Sequence, residues 1–353
     1  MHQMSSVKEH DEGQGGHAPG VTHPVTLIAG DGIGPEVTAV VVRVLEATGV
    51  RFAWEPYAAG AEAFKQQGEY IPKELYASIE RTKLALKGPV TTPIGGGFTS
   101  INVTLRKHFD LFANFRPIKN LPGLETKFPG VDLIIIRENT EGEYVGLEQE
   151  VVPGVVTSLK VITEKASTRI AKFAFDYARK QGRKKIHAIH KANIMKMSDG
   201  LFLRCTREIA KGFPEIFYGE HLIDNTCMQL VMNPYQYDTL VMENLYGDIL
   251  SDLCAGLVGG LGMVPGANLG HEAAIFEAVH GSAPDIAGKD IANPTALLLS
   301  AVLMLRHIDE NAAADRVQAA VDKVYVEKKS LTRDVHGNSG TRAFGDAVIE
   351  AMG

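Results

Sequence analysis

Short apolar segments alternate with amphipathic patterns along most of this chain. The apolar segment at residues 25–29 is followed by the turn sequence GDGIGPE. Valines then recur at the i, i+3, i+4, i+7 spacing that is typical of an amphipathic helix, at Val37, Val40, Val41 and Val44. A strand, a glycine turn and a helix in this order predict an α/β fold.

Further elements follow the same pattern. Short branched segments between polar turns predict buried strands at 133–136, 186–189 and 239–242. Residues 166–180 predict a helix with one apolar face, formed by Ile170, Phe173, Ala174 and Tyr177. The segment 294–307 is apolar all round, and Asn293 and Pro294 suit the N-cap and the first position of a helix. This segment is therefore predicted to be a central buried helix.

Two segments depart from this pattern. Residues 143–161 alternate around Pro153 and Gly154, which predicts a two-stranded arm that could reach a partner. Residues 1–23 are polar and rich in Gly and His, with no arginine and no apolar core segment. They predict a disordered tail and not a signal or transit peptide.

Composition limits the class of protein. The length of 353 residues suggests about two domains, and composition breaks at 116–123 and 259–270 suggest their boundaries. The formal charge of −6 argues against a nucleic-acid surface, and no apolar run is long enough to cross a membrane. Cys205, Cys227 and Cys254 are widely spaced, which indicates a reducing compartment with neither a disulfide framework nor a zinc site.

The turn GDGIGP does not mark a Rossmann domain. A dinucleotide fingerprint needs glycines in the pattern GxGxxG, whereas Pro35 occupies the third glycine position and Gly34 comes one place early. A tight strand-to-helix turn explains these glycines better. A nicotinamide cofactor therefore has to be argued from other residues.

Acidic residues provide the first candidate site. Asp248 and Asp252 are four residues apart, so on a helix both carboxylates project from one face and repel each other. A divalent cation would reverse that penalty, and ligands that are all oxygen favour Mg²⁺ or Mn²⁺ over Zn²⁺. Asp224 is the third candidate ligand. A solvated helix face is the plainer interpretation of such a pair, but the other candidate residues weigh against it.

Cationic and polar side chains provide the second candidate site. Arg binds carboxylates through two parallel hydrogen bonds, so two arginines close in sequence imply a substrate with more than one carboxylate. Surface ion pairs would explain either arginine alone. Tyr144 follows a predicted strand end, and Lys191 follows another, where partial burial would favour proton transfer. The remaining members are Ser100, Asn102, Arg106, Arg116 and Arg137.

These segments together resemble the β-decarboxylating dehydrogenases, the family of isocitrate and isopropylmalate dehydrogenases. The resemblance covers residues 25–353 and is carried by GDGIGPE, KGPVTTPIGGG, LRKHFDLFANFRP, RENTEGEYVG, HKANIMK, NLYGDILSD, PGANLG and FEAVHGSAPDIAGKDIANPTA. It implies an isopropylmalate/isocitrate dehydrogenase-like α/β fold, with two domains, a central sheet and an intersubunit clasp. Residues 24–112 and 259–353 would form the large cofactor-binding domain. Residues 113–258 would form the small domain with the dimer interface, and about 142–163 the clasp.

The resemblance also implies a role for each candidate residue. Arg106, Arg116 and Arg137 would hold the carboxylates that all substrates of the family share, and Ser100 and Asn102 would meet the variable γ group. The implied catalytic residues are Tyr144, Lys191 and Asp224, the metal ligands are Asp224, Asp248 and Asp252, and the cofactor residues are Thr92, His280, Gly281, Ala283, Asp285, Ile286 and Asn293. Lys191 and Asp224 would come from the neighbouring subunit, so the chain is expected to form at least a homodimer with shared active sites.

The γ group decides the expected substrate. Ser100 and Asn102 offer hydrogen bonds to a carboxylate, whereas an isopropyl group would require apolar neighbours. The expected reaction is therefore NAD-dependent oxidative decarboxylation of isocitrate to 2-oxoglutarate and CO₂ with Mg²⁺ or Mn²⁺, a step of the tricarboxylic acid cycle. Alternatives are 3-isopropylmalate or homoisocitrate as substrate, or a non-catalytic regulatory subunit of a hetero-oligomer.

The expected cofactor and location rest on similarity. Asp285 followed by Ile286 resembles the NAD pattern of the family, because a carboxylate beside the ribose repels the 2′-phosphate of NADP. Arg333 is discordant, since a nearby guanidinium could bind that phosphate. The expected location is the bacterial cytoplasm, or the mitochondrial matrix in a eukaryote.

Overall fold

The computed structural model describes residues 20–91 and 100–353. Its strands are β1 (Thr22–Ile28), β2 (Arg51–Tyr57), β3 (Leu84–Lys87), β4 (Ala113–Lys119), β5 (Asp132–Glu138), β6 (Glu148–Val152), β7 (Val155–Ser158), β8 (Lys185–His190), β9 (Phe217–Leu222), β10 (Thr239–Met242), β11 (Pro265–Leu269) and β12 (Ala274–Ala278). Its helices are α1 (Gly34–Ala47), α2 (Ala61–Gln67), α3 (Lys73–Thr82), α4 (Ile101–His108), α5 (Glu164–Lys180), α6 (Ser198–Ala210), α7 (Ile223–Met232), α8 (Asn244–Leu257), α9 (Thr295–His307), α10 (Asn311–Glu327) and α11 (Thr341–Met352).

The opening strand, turn and helix are confirmed. The strand β1 begins at Thr22, inside the segment predicted as a tail, of which residues 1–19 lie outside the described part. Gly30 and Gly32 have φ values of 81° and 59°, in the region that favours glycine. A Cβ atom on Gly30 would lie 2.1 Å from the Pro89 carbonyl oxygen, so the turn packs directly against a neighbouring loop.

A mixed sheet of ten strands runs through both predicted domains, in the order β2-β1-β3-β12-β11-β4-β5-β10-β8-β9. Both outer parts of the sheet are parallel, whereas β11 pairs antiparallel with β12 and β4, and β4 pairs antiparallel with β5. The α/β prediction is therefore confirmed, and the polarity of the sheet changes at its centre.

The central buried helix is confirmed as α9, although it begins one residue later than predicted. Thr295 is its first helical residue, and its backbone N–H donates to the side-chain oxygen of Asn293 at 3.0 Å. Pro294 therefore occupies the capping position and not the first helical position. In α5, Ile170 and Ala174 are buried as predicted, whereas Phe173 and Tyr177 are only partly buried.

Alternation along the strands gives the sheet two different faces. On one face a single apolar core contains Ile134 and Ile136 of β5 and continues under both halves of the sheet. On the other face Leu133 and Ile135 belong to a core beneath α7 and α8, while Ile275 of β12 belongs to a separate core near α3 and α4. We call this second side the cleft face; besides its two apolar cores it carries buried polar side chains on β3, β4, β5, β11 and β12.

The predicted arm is confirmed as a two-stranded structure. Strands β6 and β7 pair antiparallel and are exposed along their whole length, including Val151, Val152, Val155 and Val156. Its role as a clasp stays a prediction. In the described part of the chain, none of the helices has the length and apolar character needed to span a membrane.

Candidate active site

Polar side chains occupy the centre of the cleft face. The alternation that directs Ile136 into the continuous core directs Arg137 to the cleft face, and the same holds for the other central strands. The buried polar residues placed there are Lys87, Asn114, Arg116, Arg137, Asn268 and Glu277. Arg106, on α4, adds a third guanidinium at 8% exposure.

The three predicted arginines lie close enough together to repel one another. Arg116 and Arg137 are 5% and 1% exposed. Burial, with the positive charges of Arg137 and Arg106, lowers the pKa of Arg116 to about 9. Burial and the charge of Arg106 also lower the pKa of Arg137. This excess of buried positive charge is suited to bind an anion with several carboxylates.

Asp248 partly neutralises the arginines and also contacts the predicted tyrosine, Tyr144. Its carboxylate accepts hydrogen bonds from Arg137 and, at 2.5 Å, from the Tyr144 hydroxyl. The same carboxylate lies 3.9 Å from Arg116. Burial raises the pKa of Asp248, but Arg137 and the Tyr144 hydrogen bond outweigh it, so the pKa is lowered. Asp252, one turn further along α8 and 3.7 Å from Arg116, has its pKa raised by burial. The helix therefore presents both carboxylates beside the arginines, as predicted.

Lys191 and Asp224 form a separate pair. The Lys191 ammonium donates to the Asp224 carboxylate at 2.6 Å, and this contact lowers the pKa of Asp224. Within residues 20–91 and 100–353, no three His, Cys, Asp or Glu side chains form a group that could hold a metal. The chain alone thus brings together two of its three predicted metal ligands, Asp248 and Asp252. Their carboxylate oxygens suit Mg²⁺ or Mn²⁺, which usually keep further positions for substrate and water.

The predicted cofactor residues are divided between two places. His280 and Gly281 line a cavity together with Asn102, Arg106 and Arg116. Burial lowers the pKa of His280, so its ring is neutral near pH 7. The ring's Nε2 atom is buried and finds no hydrogen-bond partner among the described residues, as expected of a group that meets a ligand.

The other described cofactor residues are not among those that line this cavity. Asn293 is engaged by the start of α9 and donates to Asp334 at 2.9 Å. Asp285 is exposed, and Ala283 has a φ of 38°. Ile286 is partly buried, as is Ser100 immediately before α4, whereas Thr92 lies outside the described residues.

Several residues of the cleft face were not found by sequence reasoning. Lys87 and Glu277 form a buried ion pair, and Glu277 also lies 3.4 Å from Arg106. Asn268 donates to Glu277 at 2.7 Å and accepts from Asn114 at 2.7 Å. A charged residue at or near the end of an apolar strand, as in LALK and AIFEA, was the available signal.

A second buried polar group lies outside the cleft, and we call it the Lys160 cluster. It consists of Lys160, Asp199, Glu243 and Tyr246. The Lys160 ammonium contacts Glu243, donates to Asp199 at 2.7 Å and lies 4.6 Å from the centre of the Tyr246 ring. Burial opposes a charged Lys160, but the two carboxylates outweigh it and raise its pKa. Asp199 also accepts from the Lys191 backbone N–H at 2.6 Å, so the cluster fixes the loop that carries Lys191.

The fold and the site together define an α/β protein with a cationic cleft suited to a polycarboxylate. The family described as isocitrate/isopropylmalate dehydrogenase matches residues 24–348. The chain belongs to this family.

Individual relatives agree with this assignment. An isocitrate dehydrogenase [NAD] catalytic subunit 5, mitochondrial, of Arabidopsis thaliana is 54% identical over 94% of this chain and 89% of its own length. A chloroplastic 3-isopropylmalate dehydrogenase of Solanum tuberosum is 56% identical over 84% of both chains. A crystal structure of isocitrate dehydrogenase from Methylococcus capsulatus has a TM-score of 0.91 and 48% identity, and the match covers 94% of this chain and 99% of that one.

Proposed function

We propose that this chain catalyses the NAD-dependent oxidative decarboxylation of isocitrate to 2-oxoglutarate and CO₂, with Mg²⁺ or Mn²⁺. The observation that carries the proposal is the set of three buried guanidinium groups beside Asp248 and Tyr144. Burial and repulsion from Arg106 lower the pKa values of Arg116 and Arg137, so this group of guanidinium ions gains most from a ligand with several carboxylates.

Polar residues on α4 support isocitrate over 3-isopropylmalate. Ser100 and Asn102 stand at the start of this helix, one turn before Arg106, and Asn102 lines the cavity. The Asn102 side-chain oxygen is buried and finds no partner among the described residues. The NH₂ group of the same side chain can donate to a γ-carboxylate, whereas an isopropyl group offers it no acceptor.

Each residue of the cleft then has a chemical task. The arginines bind and orient the carboxylates, and Asp248 and Asp252 supply oxygen ligands next to them. When bound, the metal ion supplies Lewis acidity at the substrate oxygens, and NAD supplies a hydride acceptor. Burial and the hydrogen bond to Asp248 raise the pKa of Tyr144, so its phenol keeps a proton to give to the substrate carbon after CO₂ leaves.

The remaining catalytic residues require a second copy of the chain. Lys191 would remove the hydroxyl proton and Asp224 would complete the metal site, each in the cleft of the neighbouring subunit. The separate position of the Lys191–Asp224 pair and the exposed arm support a homodimer with shared sites. The domain division at 113–258 and a location in the bacterial cytoplasm or mitochondrial matrix belong to the same proposal, as does a place in the tricarboxylic acid cycle.

One assay tests the proposal. NADH formation should be measured with isocitrate, 3-isopropylmalate and homoisocitrate, each with Mg²⁺ and again with a chelator. We expect NADH from isocitrate alone among the three acids, and its loss with the chelator. Turnover of 3-isopropylmalate or homoisocitrate instead would assign the alternative substrate. No turnover by the purified chain would support the alternative of a regulatory subunit. The sequence weighs against that alternative, because it contains every implied catalytic residue.

A further inference from the structure

A chain of side-chain amides crosses the cleft face beneath the arginines. It starts at Glu277, where burial alone would raise the pKa, but Lys87 and Arg106 lower it to about 2. The Glu277 carboxylate is therefore ionised and only accepts hydrogen bonds. Asn268, on the neighbouring strand, lies 2.7 Å from it and must present its NH₂ group.

The orientation of Asn268 determines the orientation of the next amides. Because its NH₂ group faces Glu277, its oxygen faces Asn114 on β4 at 2.7 Å and Asn139 after β5 at 2.9 Å. Both of these residues must then donate through their own NH₂ groups. The donor-to-acceptor direction of all these amide hydrogen bonds follows from the charge of Glu277. It does not depend on how the oxygen and nitrogen of any single amide are assigned.

This direction leaves the oxygen of Asn114 as an acceptor without a donor. Asn114 is 2% exposed, and its Oδ1 atom finds no partner among the described residues. Asn114 lines the same cavity as Arg106, Arg116 and His280, and it lies two residues before Arg116 on the same face of β4. A buried acceptor of this kind costs about 1 to 3 kcal/mol unless a ligand satisfies it.

Asn139 provides the contrast that makes Asn114 informative. Both donate to the same oxygen of Asn268, both are buried, and both have an unpartnered Oδ1 atom among the described residues. However, Asn139 also donates to the Leu111 carbonyl at 3.1 Å and is not among the residues that line the cavity. Both side chains thus belong to the same hydrogen-bonded series of amides, but only Asn114 lines the cavity where a ligand could reach it.

We propose that Asn114 is a specificity residue whose side-chain oxygen accepts a hydrogen bond from a bound reactant. The matching chemistry is a neutral O–H or N–H donor, which the arginines cannot recognise because they only donate. Given the proposed function, on which this inference rests, two reactants carry such a donor: isocitrate has a hydroxyl group, and nicotinamide has a carboxamide.

Equilibrium binding with matched ligand pairs tests this role and identifies the donor. Tricarballylate is isocitrate without the hydroxyl group, and the acetylpyridine analogue of NADH has a methyl group in place of the carboxamide NH₂. Calorimetry with Mg²⁺ should give the Kd of all four ligands for the wild-type homo-oligomer and for Asn114→Leu, Asn114→Ser and Asn139→Leu. The serine variant can still donate to Asn268 but is shorter, so it covers the case in which the leucine variant does not fold.

For one ligand pair, we expect the wild type to prefer the donor-bearing member, and both Asn114 variants to reduce that preference about five- to tenfold. Loss in the isocitrate pair assigns the hydroxyl group, and loss in the NADH pair assigns the carboxamide. The preference should be retained in Asn139→Leu. Unchanged preferences in both pairs, or equal losses in Asn139→Leu, would show that Asn114 is only structural. If the wild type neither binds isocitrate nor reduces NAD with it, the proposed function fails first and the inference falls with it.

Discussion

The cleft arginines and the Lys160 cluster are both buried groups of charges, but they are balanced in opposite ways. In the cleft, the four cations Lys87, Arg106, Arg116 and Arg137 outnumber the three carboxylates Asp248, Asp252 and Glu277. The pKa values of Arg116 and Arg137 are lowered. In the Lys160 cluster one ammonium lies between two carboxylates, and its pKa is raised.

The difference lies in how far the buried cations themselves find partners within the chain. The Nε atoms of Arg106 and Arg116 are buried without a partner among the described residues, whereas the Lys160 ammonium contacts Asp199, Glu243 and Tyr246. Buried charges that remain unsatisfied cost stability, so they persist where they serve binding. We therefore expect matched substitutions of the two kinds of cation to affect different properties.

The largest effect is expected for Arg116→Met. Loss of two charge-assisted hydrogen bonds to substrate, together worth about 4 kcal/mol, should lower kcat/KM for isocitrate about a thousandfold. The free energy of unfolding should stay within about 1 kcal/mol of the wild type or rise, because repulsion from Arg106 and Arg137 is relieved. Steady-state kinetics and urea unfolding without ligands measure both quantities. A large loss of stability would place Arg116 in the same class as Lys160.

Lys160→Met is the matched substitution in the other cluster. It leaves Asp199 and Glu243 buried without their counter-ion, which should lower the free energy of unfolding by about 3 kcal/mol. Burial raises the pKa of Glu243 to about 8 even beside Lys160. Removal of the ammonium should raise this pKa further, so the loss should grow as the pH rises above about 8, where only the folded variant still has to hold that proton. Urea unfolding at several pH values tests this, and a loss that shrinks with rising pH would contradict it. Glu243→Gln in the same background should restore part of the stability.

Tyr144→Phe removes a proton and leaves the charges of the cleft unchanged. We expect a loss of roughly a hundredfold in the steps that follow hydride transfer, because a positioned general acid contributes at least that much. Hydride transfer should change less. Single-turnover NADH formation and the reduction of added oxalosuccinate measure hydride transfer separately from decarboxylation. Equal losses in all partial reactions would assign Tyr144 to binding, through its hydrogen bond to Asp248.

The same contrast explains how much of the site could be predicted from sequence. Arg106, Arg116 and the Asp248–Asp252 pair were predicted because residue type and local spacing already indicate their chemistry. Lys87 and Glu277 are 190 residues apart, and they meet only because β3 and β12 are neighbours in the sheet. Local patterns predict which face of a strand is polar, but they do not predict which strands are adjacent.

The position of a residue in the fold also decides between a surface charge and a buried one. Lys160 follows an exposed arm, and nothing near it in sequence marks it as buried. Its partners Asp199 and Glu243 lie on two distant segments that the sheet brings together. The strands and helices themselves were predicted well, because the valine spacing of α1 and the apolar strands β5, β8 and β10 are local signals.

The smallest effect is expected where charge is exposed and belongs to neither buried group. Asp285 is solvent-exposed. Lys289 donates to the backbone oxygen of Asp285 at 2.7 Å, and this contact does not involve the Asp285 carboxylate. Asp285→Lys combined with Ile286→Tyr should shift the NAD to NADP ratio of kcat/KM about fivefold toward NADP, since a single solvent-exposed charge contact contributes about 1 kcal/mol. Asp285→Asn is the matched control and should shift the ratio less, because it removes the repulsion without adding a cation. Arg333→Ala should further reduce the use of NADP if this exposed guanidinium contacts the 2′-phosphate. An unchanged ratio in the double variant would mean that charge at Asp285 does not set the choice of cofactor. The comparison of charged groups would then rest on the cleft arginines and the Lys160 cluster alone.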